Sequence, residues 1–290
     1  MKNVYVEITN VCNLDCSFCP GHNRKKAFMS ASDFGIIADK LNGKAENLFL
    51  HLMGEPLLHP ELDKILKIAD KMTSNLKITT NGTLLPHCLS LLTASEKLRT
   101  VCISLHSYEA NRAWNITLDE YLENCFLAAD ALAAAGKYAV FRLWNLDGGE
   151  NEFNSVILER LSKHYPKEKE PWVKNHRGER IATHIFLEWG EKFDWPDITD
   201  APKMSSEPPC GEVFCHGLLS QAGVLCDGTV VPCCLDRNGE VPLGNLFSAS
   251  FEEILASPRA REMKEAMAHH RFTEPLCRSC GFAGKFSPRP

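Results

Sequence analysis

The sequence predicts an α/β protein: a partial (β/α)6 TIM-like barrel followed by a small α+β domain made of a hairpin and a helix. Three observations carry this. Short β-rich runs alternate with segments of helical apolar spacing; the chain then breaks at a stretch rich in proline, serine and acid over 194–209; and a two-residue turn signal, Asp227-Gly228, follows between apolar runs. Strand and helix in alternation argue for a parallel sheet of βα units. Six such units are fewer than the eight of a closed barrel, so the barrel is read as partial, with its functional loops after the strands' C-terminal ends.

Taken in order, the strand runs are "VYVEI" (4–8), "LFLHLM" (48–53), "LKITT" (76–80), "TVCISL" (100–105), "YAVFRLW" (138–144) and "HIFLEW" (184–189). Between them, "SASDFGIIADKL" and "LDEYLENCFLAADALAAAG" repeat apolar residues with helical period. Residues 145–182 are polar and charged and read as a solvent-facing helix bracketed by loops. The core is therefore set at 1–195, the linker at 196–209 and the second domain at 210–290. In that domain "LLSQAGVLCDGTVVPCCL" reads as a hairpin, and an amphipathic helix is expected near 251–270.

The chain has 290 residues, of which 44% are hydrophobic, enough for a sizeable core. A net charge of -5 and the lack of a basic, aromatic-interleaved run argue against a nucleic-acid partner. Met1 leads straight into a strand with no signal-peptide pattern, and no long uncharged apolar run points to a membrane, so the cytoplasm is the expected compartment. Thirteen cysteines in such a chain point to metal or redox chemistry rather than disulfides.

Cys12, Cys16 and Cys19 stand on one loop just after the first strand. Structural zinc sites close with four protein ligands. Three thiolates on a four-iron cluster leave one iron free for an exogenous molecule. With Phe18 between the last two cysteines, the loop resembles the Cys-x3-Cys-x-aromatic-Cys signature of the radical S-adenosylmethionine (SAM) superfamily. That resemblance implies a [4Fe-4S] cluster on Cys12, Cys16 and Cys19, SAM on its open iron, and reductive cleavage of SAM to a 5'-deoxyadenosyl radical that takes hydrogen from a substrate. It also implies SAM contacts from Phe18, from Gly54 and Glu55 in "MGEP", where Met53 stands for the usual first glycine, and from Asn81 and Ser104 at the ends of the third and fourth strands. Helix capping is the ordinary alternative for Asn81 and Ser104. His106 is read as a surface residue or a substrate contact, and the role of Arg112 is open.

The C-terminal segment resembles the SPASM extension of radical enzymes and its shorter form, twitch. The full form needs about seven cysteines; after Cys277 and Cys280 none remains, so the short form is the expected one, with an auxiliary cluster on Cys215, Cys233, Cys277 and Cys280. Cys210 is an alternative to Cys215, and Cys234 to Cys233. A four-cysteine zinc knuckle is the bland reading of the same residues. Cys88, Cys102 and Cys125 are expected to pack on apolar faces. Cys226 is a candidate hydrogen-atom donor.

The resemblance suggests two [4Fe-4S] clusters, SAM, a flavodoxin- or ferredoxin-type electron donor, and a small-molecule or peptide substrate. Net dehydrogenation of a small polyol or aminocyclitol leads, since an auxiliary cluster can accept the electron left after hydrogen abstraction. Radical modification of a ribosomal peptide, by crosslinking or epimerisation, is the alternative, and a zinc-binding scaffold without catalysis is the rival from another class. Sulfatase maturation and methylthiolation are disfavoured, the first by the short cysteine set and the second by missing domains.

Overall fold

A computed structural model of the protein describes residues 1–111, 114–146, 151–199 and 214–283. The first half runs β1 (Asn3–Val6), α1 (Ala31–Leu41), β2 (Asn47–Phe49), α2 (Leu62–Ala69), β3 (Asn75–Thr80), α3 (Leu85–Ala94), β4 (Leu98–Ser104), α4 (Leu118–Ala134) and β5 (Tyr138–Leu143). Then come α5 (Asn154–His164), β6 (Val173–Lys174), β7 (Gly178–Ala182) and β8 (Ile185–Trp189). The C-terminal part adds β9 (Gln221–Val224), β10 (Thr229–Val231), β11 (Gly244–Asn245), α6 (Phe251–Leu255), α7 (Pro258–Ala268) and α8 (Pro275–Arg278). Among the described residues no helix is long and apolar enough to cross a membrane.

Among the described residues all strands belong to one sheet, in the order β11-β10-β9-β1-β2-β3-β4-β5-β8-β7-β6. The six expected strands, β1 to β5 and β8, are parallel neighbours, as the βα rhythm requires. β9 joins them from the far end of the sequence, parallel to β1 from Asn3↔Gln221 to Val6↔Val224. The hairpin of the second domain is thus laid on the barrel sheet itself. Its turn needs Gly228, whose φ of +80° an L side chain rarely adopts.

The two faces of the sheet differ. Val4, Val6, Leu48, Ile78, Val101, Ile103, Phe141 and Leu187 are buried in one apolar cluster with Phe34, Ile37 and Leu132 of the helices. Full burial of each such side chain contributes about 1.5–3 kcal/mol. The alternate residues, Tyr5, Phe49, Lys77, Cys102, Arg142 and Glu188, form a polar and aromatic inner face. Two rows of pairing, Tyr5↔Phe49↔Lys77 and Ser104↔Arg142↔Glu188, fix these neighbours. Because successive strand residues face opposite ways, one register settles both faces.

Four expectations change. β2 stops at Phe49 instead of running to 53: the His51 Nδ1 accepts the Thr79 N–H at 3.3 Å, so a side chain takes over the ladder there. Burial holds that imidazole neutral, its pKa lowered to about 3. Residues 145–182 hold more than a helix, since β7 extends the sheet antiparallel to β8 and β6 pairs antiparallel to β7, while α5 buries Ile157 and Leu161. The helix near 251–270 is two helices, because Pro258 has no N–H to continue α6 and instead starts α7 behind the Ser257 cap. Cys102 lies on the polar inner face, paired with Thr79 and Val140, rather than on an apolar one. Cys125, by contrast, is wholly buried in the core, and Cys88 packs at its edge with its thiol on the Leu57 carbonyl.

Candidate active site

The loop after β1 carries Cys12 and Cys19 exposed and Cys16 half-buried. It is held by asparagines. Asn111 accepts the Asp15 N–H at 3.0 Å and donates to the Cys16 sulfur at 3.1 Å, while its neighbour's carbonyl, Ala110, accepts the Ser17 N–H. Asn13 donates to Thr83 Oγ1 and accepts from Asn81 Nδ2, which also faces the Cys12 sulfur at 3.9 Å. Burial pushes the Cys16 thiol up to about 12, and the nearby Cys12 and Cys19 add to that shift. Thiols gathered this closely suit a cation that would compensate the charge of their thiolates.

The "MGEP" segment packs directly on this loop. Gly54 has φ +74°, and a Cβ there would stand 2.5 Å from the Thr9 carbonyl oxygen, so the close approach excludes a side chain. The Glu55 N–H donates to the Val11 carbonyl. Its carboxylate is buried and accepts from the Leu57 N–H at 3.0 Å and the Asn81 N–H at 2.7 Å. Desolvation raises its pKa to about 7 despite those bonds. Glu55 thus clamps the ends of two strands, and its side chain is turned to the backbone.

Neither the Asn81 nor the Ser104 side chain makes a helix-cap bond, although Ser104 stands at the N-cap of a single 3-10 turn, Leu105–Ser107. The Asn81 Oδ1 accepts from Thr83 N and Oγ1 in a local turn, and the Ser104 hydroxyl has no hydrogen-bond partner among the described residues. Phe18 lies over the His106 ring at 4.9 Å. His106 is 7% exposed and so not a surface residue: its Nδ1 bonds the Arg142 carbonyl and burial lowers its pKa to about 4. Arg112 lies outside the described residues, as does Cys210.

Cys215, Cys233, Cys277 and Cys280 line one cavity, together with Met267 and Phe272. The hairpin and α8 bring them there from widely spaced positions. Burial raises all four thiols, and Cys215 adds to the shift of each of the others. Cys234 is turned away from this cavity toward Tyr5 and packs against Leu52, Met53, Leu225 and Val231. The cavity's donor set is all sulfur with an apolar surround, which fits a metal cluster. Among the described residues no three histidine, cysteine or carboxylate side chains converge on a single metal ion. A cluster interposes its own iron and sulfide between the thiolates, so their wider spacing is compatible with it.

Comparison with known families decides the class. Residues 6–150 match the family model of the radical SAM superfamily, and residues 215–281 match the SPASM iron-sulfur cluster-binding domain. The chain belongs to the radical SAM superfamily. A radical SAM chain with a SPASM domain is built for [4Fe-4S] clusters and SAM.

Among curated relatives, a GTP 3',8-cyclase of Microcystis aeruginosa is 29% identical over 92% of this chain and 91% of its own. A probable GTP 3',8-cyclase of Aeropyrum pernix is also 29% identical, over 52% of this chain but only 45% of its own length. The subtilosin biosynthesis protein AlbA of Bacillus subtilis is 26% identical over 96% of this chain and 64% of its own. Among solved structures, BtrN in complex with AdoMet and 2-DOIA superimposes with TM-score 0.60 over 97% of this chain and 92% of that one, at 16% identity. Streptococcus suis SuiB bound to its precursor peptide SuiA gives TM-score 0.60 over 97% and 70%, at 15% identity. Both likenesses establish the radical SAM fold.

Several residues of the radical SAM site escaped the sequence reading. Asn13 and Asn111 flank recognisable positions, but their grip on the loop depends on a contact across 95 residues. Glu7, fully buried, pairs with Arg24 and accepts the Met53 and Cys226 N–H groups, joining the cysteine loop, the "MGEP" segment and the C-terminal hairpin. The Cys226 thiol donates to the Glu7 carbonyl at 3.1 Å. An acid at the end of a strand gives no local hint of such a junction.

Proposed function

We propose that this chain is a radical SAM oxidoreductase that dehydrogenates a small polyol or aminocyclitol. Cys12, Cys16 and Cys19 hold the cluster that binds SAM; Cys215, Cys233, Cys277 and Cys280 hold a fully ligated auxiliary cluster in the twitch arrangement. When bound and reduced, the first cluster supplies the electron that splits SAM into methionine and a 5'-deoxyadenosyl radical.

The chain's own residues prepare the reaction. Gly54 allows the backbone at 53–55 to lie against the cysteine loop, where the methionyl amino group would be met. Asn81, Ser104 and Phe18 border that place, and the Ser104 hydroxyl is free to bond SAM. The apolar cluster behind the sheet and the helices over it keep water from the reacting atoms on that side. An electron carrier of flavodoxin or ferredoxin type is the expected external donor.

One observation carries the oxidative reading: the four-thiol cavity belongs to a hairpin paired with β1, so a second redox centre borders the same barrel that carries the cysteine loop. Hydrogen abstraction leaves one electron on the substrate, and a fully ligated centre at the barrel wall is placed to accept it. A second reading, radical modification of a peptide, is favoured by the near-complete coverage of this chain by AlbA. The test is anaerobic turnover with dithionite and carbon-deuterated aminocyclitols. Deuterium in 5'-deoxyadenosine together with a ketone product supports the oxidation. Deuterium transfer only from a peptide, with a product of unchanged oxidation state, contradicts it.

A further inference from the structure

The inner face of the barrel carries an ion pair that neither cysteine set uses. The Arg142 Nε donates to the Glu188 Oε2 at 3.3 Å, and the Arg142 Nη1 donates to the Thr79 Oγ1 at 3.3 Å. The guanidinium also lies over the Trp144 ring at 4.7 Å. The side chains are 17% and 18% exposed, so both are largely desolvated yet open on one side.

Such a pair is a poor way to stabilise a fold. Removing two charges from water costs several kcal/mol per ion, and a single long bond between them recovers little of it. A bidentate arrangement would recover more, but here only Nε meets the carboxylate. Among the described residues Nη2 of Arg142 and Oε1 of Glu188 have no hydrogen-bond partner. One donor edge and one acceptor oxygen are left side by side.

Their position gives them a use. In the sheet register Ser104, Arg142 and Glu188 are direct neighbours on three adjacent strands, within two residues of the strands' C-terminal ends. The residues before them, Ile103, Phe141 and Leu187, are fully buried toward the helices, so this row faces the inner side. A ligand lying beside the Ser104 hydroxyl would extend over Arg142 and Glu188.

We infer that Arg142 and Glu188 form a substrate clamp for a small molecule with adjacent hydroxyl and amino groups. The arginine donates to a hydroxyl oxygen, and the glutamate accepts from the neighbouring ammonium or hydroxyl. This inference rests on the oxidoreductase reading above and specifies its substrate class as an amino polyol. Because one cation is matched by one anion, the clamp adds no net positive charge, and a phosphate ester is disfavoured. Of the other cations on this face, Lys77 has its Nζ over the Phe49 ring, at 5.3 Å from its centroid, and Arg180 is paired with Glu170.

The test is calorimetric titration of the anaerobically reconstituted, SAM-loaded full chain with three probes: scyllo-inosamine, myo-inositol and myo-inositol 1-phosphate. The clamp predicts binding in the order amine, alcohol, phosphate. It also predicts that Glu188→Gln weakens scyllo-inosamine by about tenfold or more, with a smaller loss for myo-inositol. Arg142→Met combined with Glu188→Met removes both charges without orphaning either, so the fold is kept and binding of both probes is lost. Amine affinity unchanged in either variant overturns the clamp, as does tighter binding of the phosphate or no binding of any probe. SAM cleavage by the parent protein is followed in parallel. Parent protein that binds the amine through the clamp but leaves SAM intact contradicts the oxidoreductase reading alone; cleavage with clamp-independent binding contradicts the clamp alone.

Discussion

The two cysteine sets are built on opposite principles. Cys12, Cys16 and Cys19 sit close together on the loop between β1 and α1, two of them exposed, and asparagine side chains from elsewhere in the barrel reach in to hold them. Cys215, Cys233, Cys277 and Cys280, all half-buried, come from distant positions into a cavity walled by Met267 and Phe272. The first arrangement leaves a side open for an incoming molecule; the second draws its thiols from separate segments around a cavity. A centre that must bind SAM needs an accessible coordination position, whereas one that carries electrons is served by burial, which tunes potential and excludes solvent.

The sharpest way to break this contrast is chemical labelling. In apo-protein, Cys12 and Cys19 should be alkylated by iodoacetamide about a hundredfold faster than Cys233, because thiolate character and access set the rate. Peptide mass mapping over time reads it; equal rates would show that the cavity is no more closed than the loop.

Next in size is the junction under the loop. Arg24→Met leaves Glu7 buried and unpaired, which should cost about 3–5 kcal/mol in urea unfolding. A loss below 1 kcal/mol would mean that Glu7 does not anchor the loop. Gly54→Ala places a Cβ against Thr9 at a positive φ and should cost about 2–3 kcal/mol, with SAM affinity falling alongside. Unchanged SAM affinity in a folded variant would separate that segment from cofactor binding.

The smallest effect has a pH signature. Glu55 has its folded pKa raised to about 7 from an ordinary value of 4.5, so the folded state binds the proton more tightly than the unfolded one. Its contribution to stability is fully present below pH 4.5 and is lost as pH rises through 7. Glu55→Gln has no such loss, but its amide can accept only with its carbonyl, leaving one of the two backbone N–H groups short at a cost of about 1 kcal/mol. Denaturant titrations should find the variant less stable at pH 5 and the gap closing toward pH 8. A gap that widens with pH would contradict the assignment.

What was legible in the sequence was local. The strand runs and the spacing of Cys12, Cys16, Phe18 and Cys19 are written within a few residues, and the hairpin turn within two. The pairing of β9 with β1 was not legible, because it joins residues more than 200 positions apart and any apolar edge strand would read the same way. The polar inner face escaped for a related reason: "FRLWN" and "FLEW" read as strands, but only the register puts Arg142 beside Glu188. The split at Pro258 was readable, since a proline cannot sit inside a helix without breaking its ladder. His106 misled because a polar residue after a strand is ordinarily exposed, and here Phe18 covers it.

The central claim is one open and one closed cluster on a single sheet. Its most direct measurement is the iron and sulfide content of anaerobically purified protein, beside that of a Cys12→Ala, Cys16→Ala, Cys19→Ala triple variant. The account predicts about eight irons in the parent and about four in the variant, with SAM cleavage lost. Zinc in either protein, or iron unchanged by the triple substitution, would contradict it.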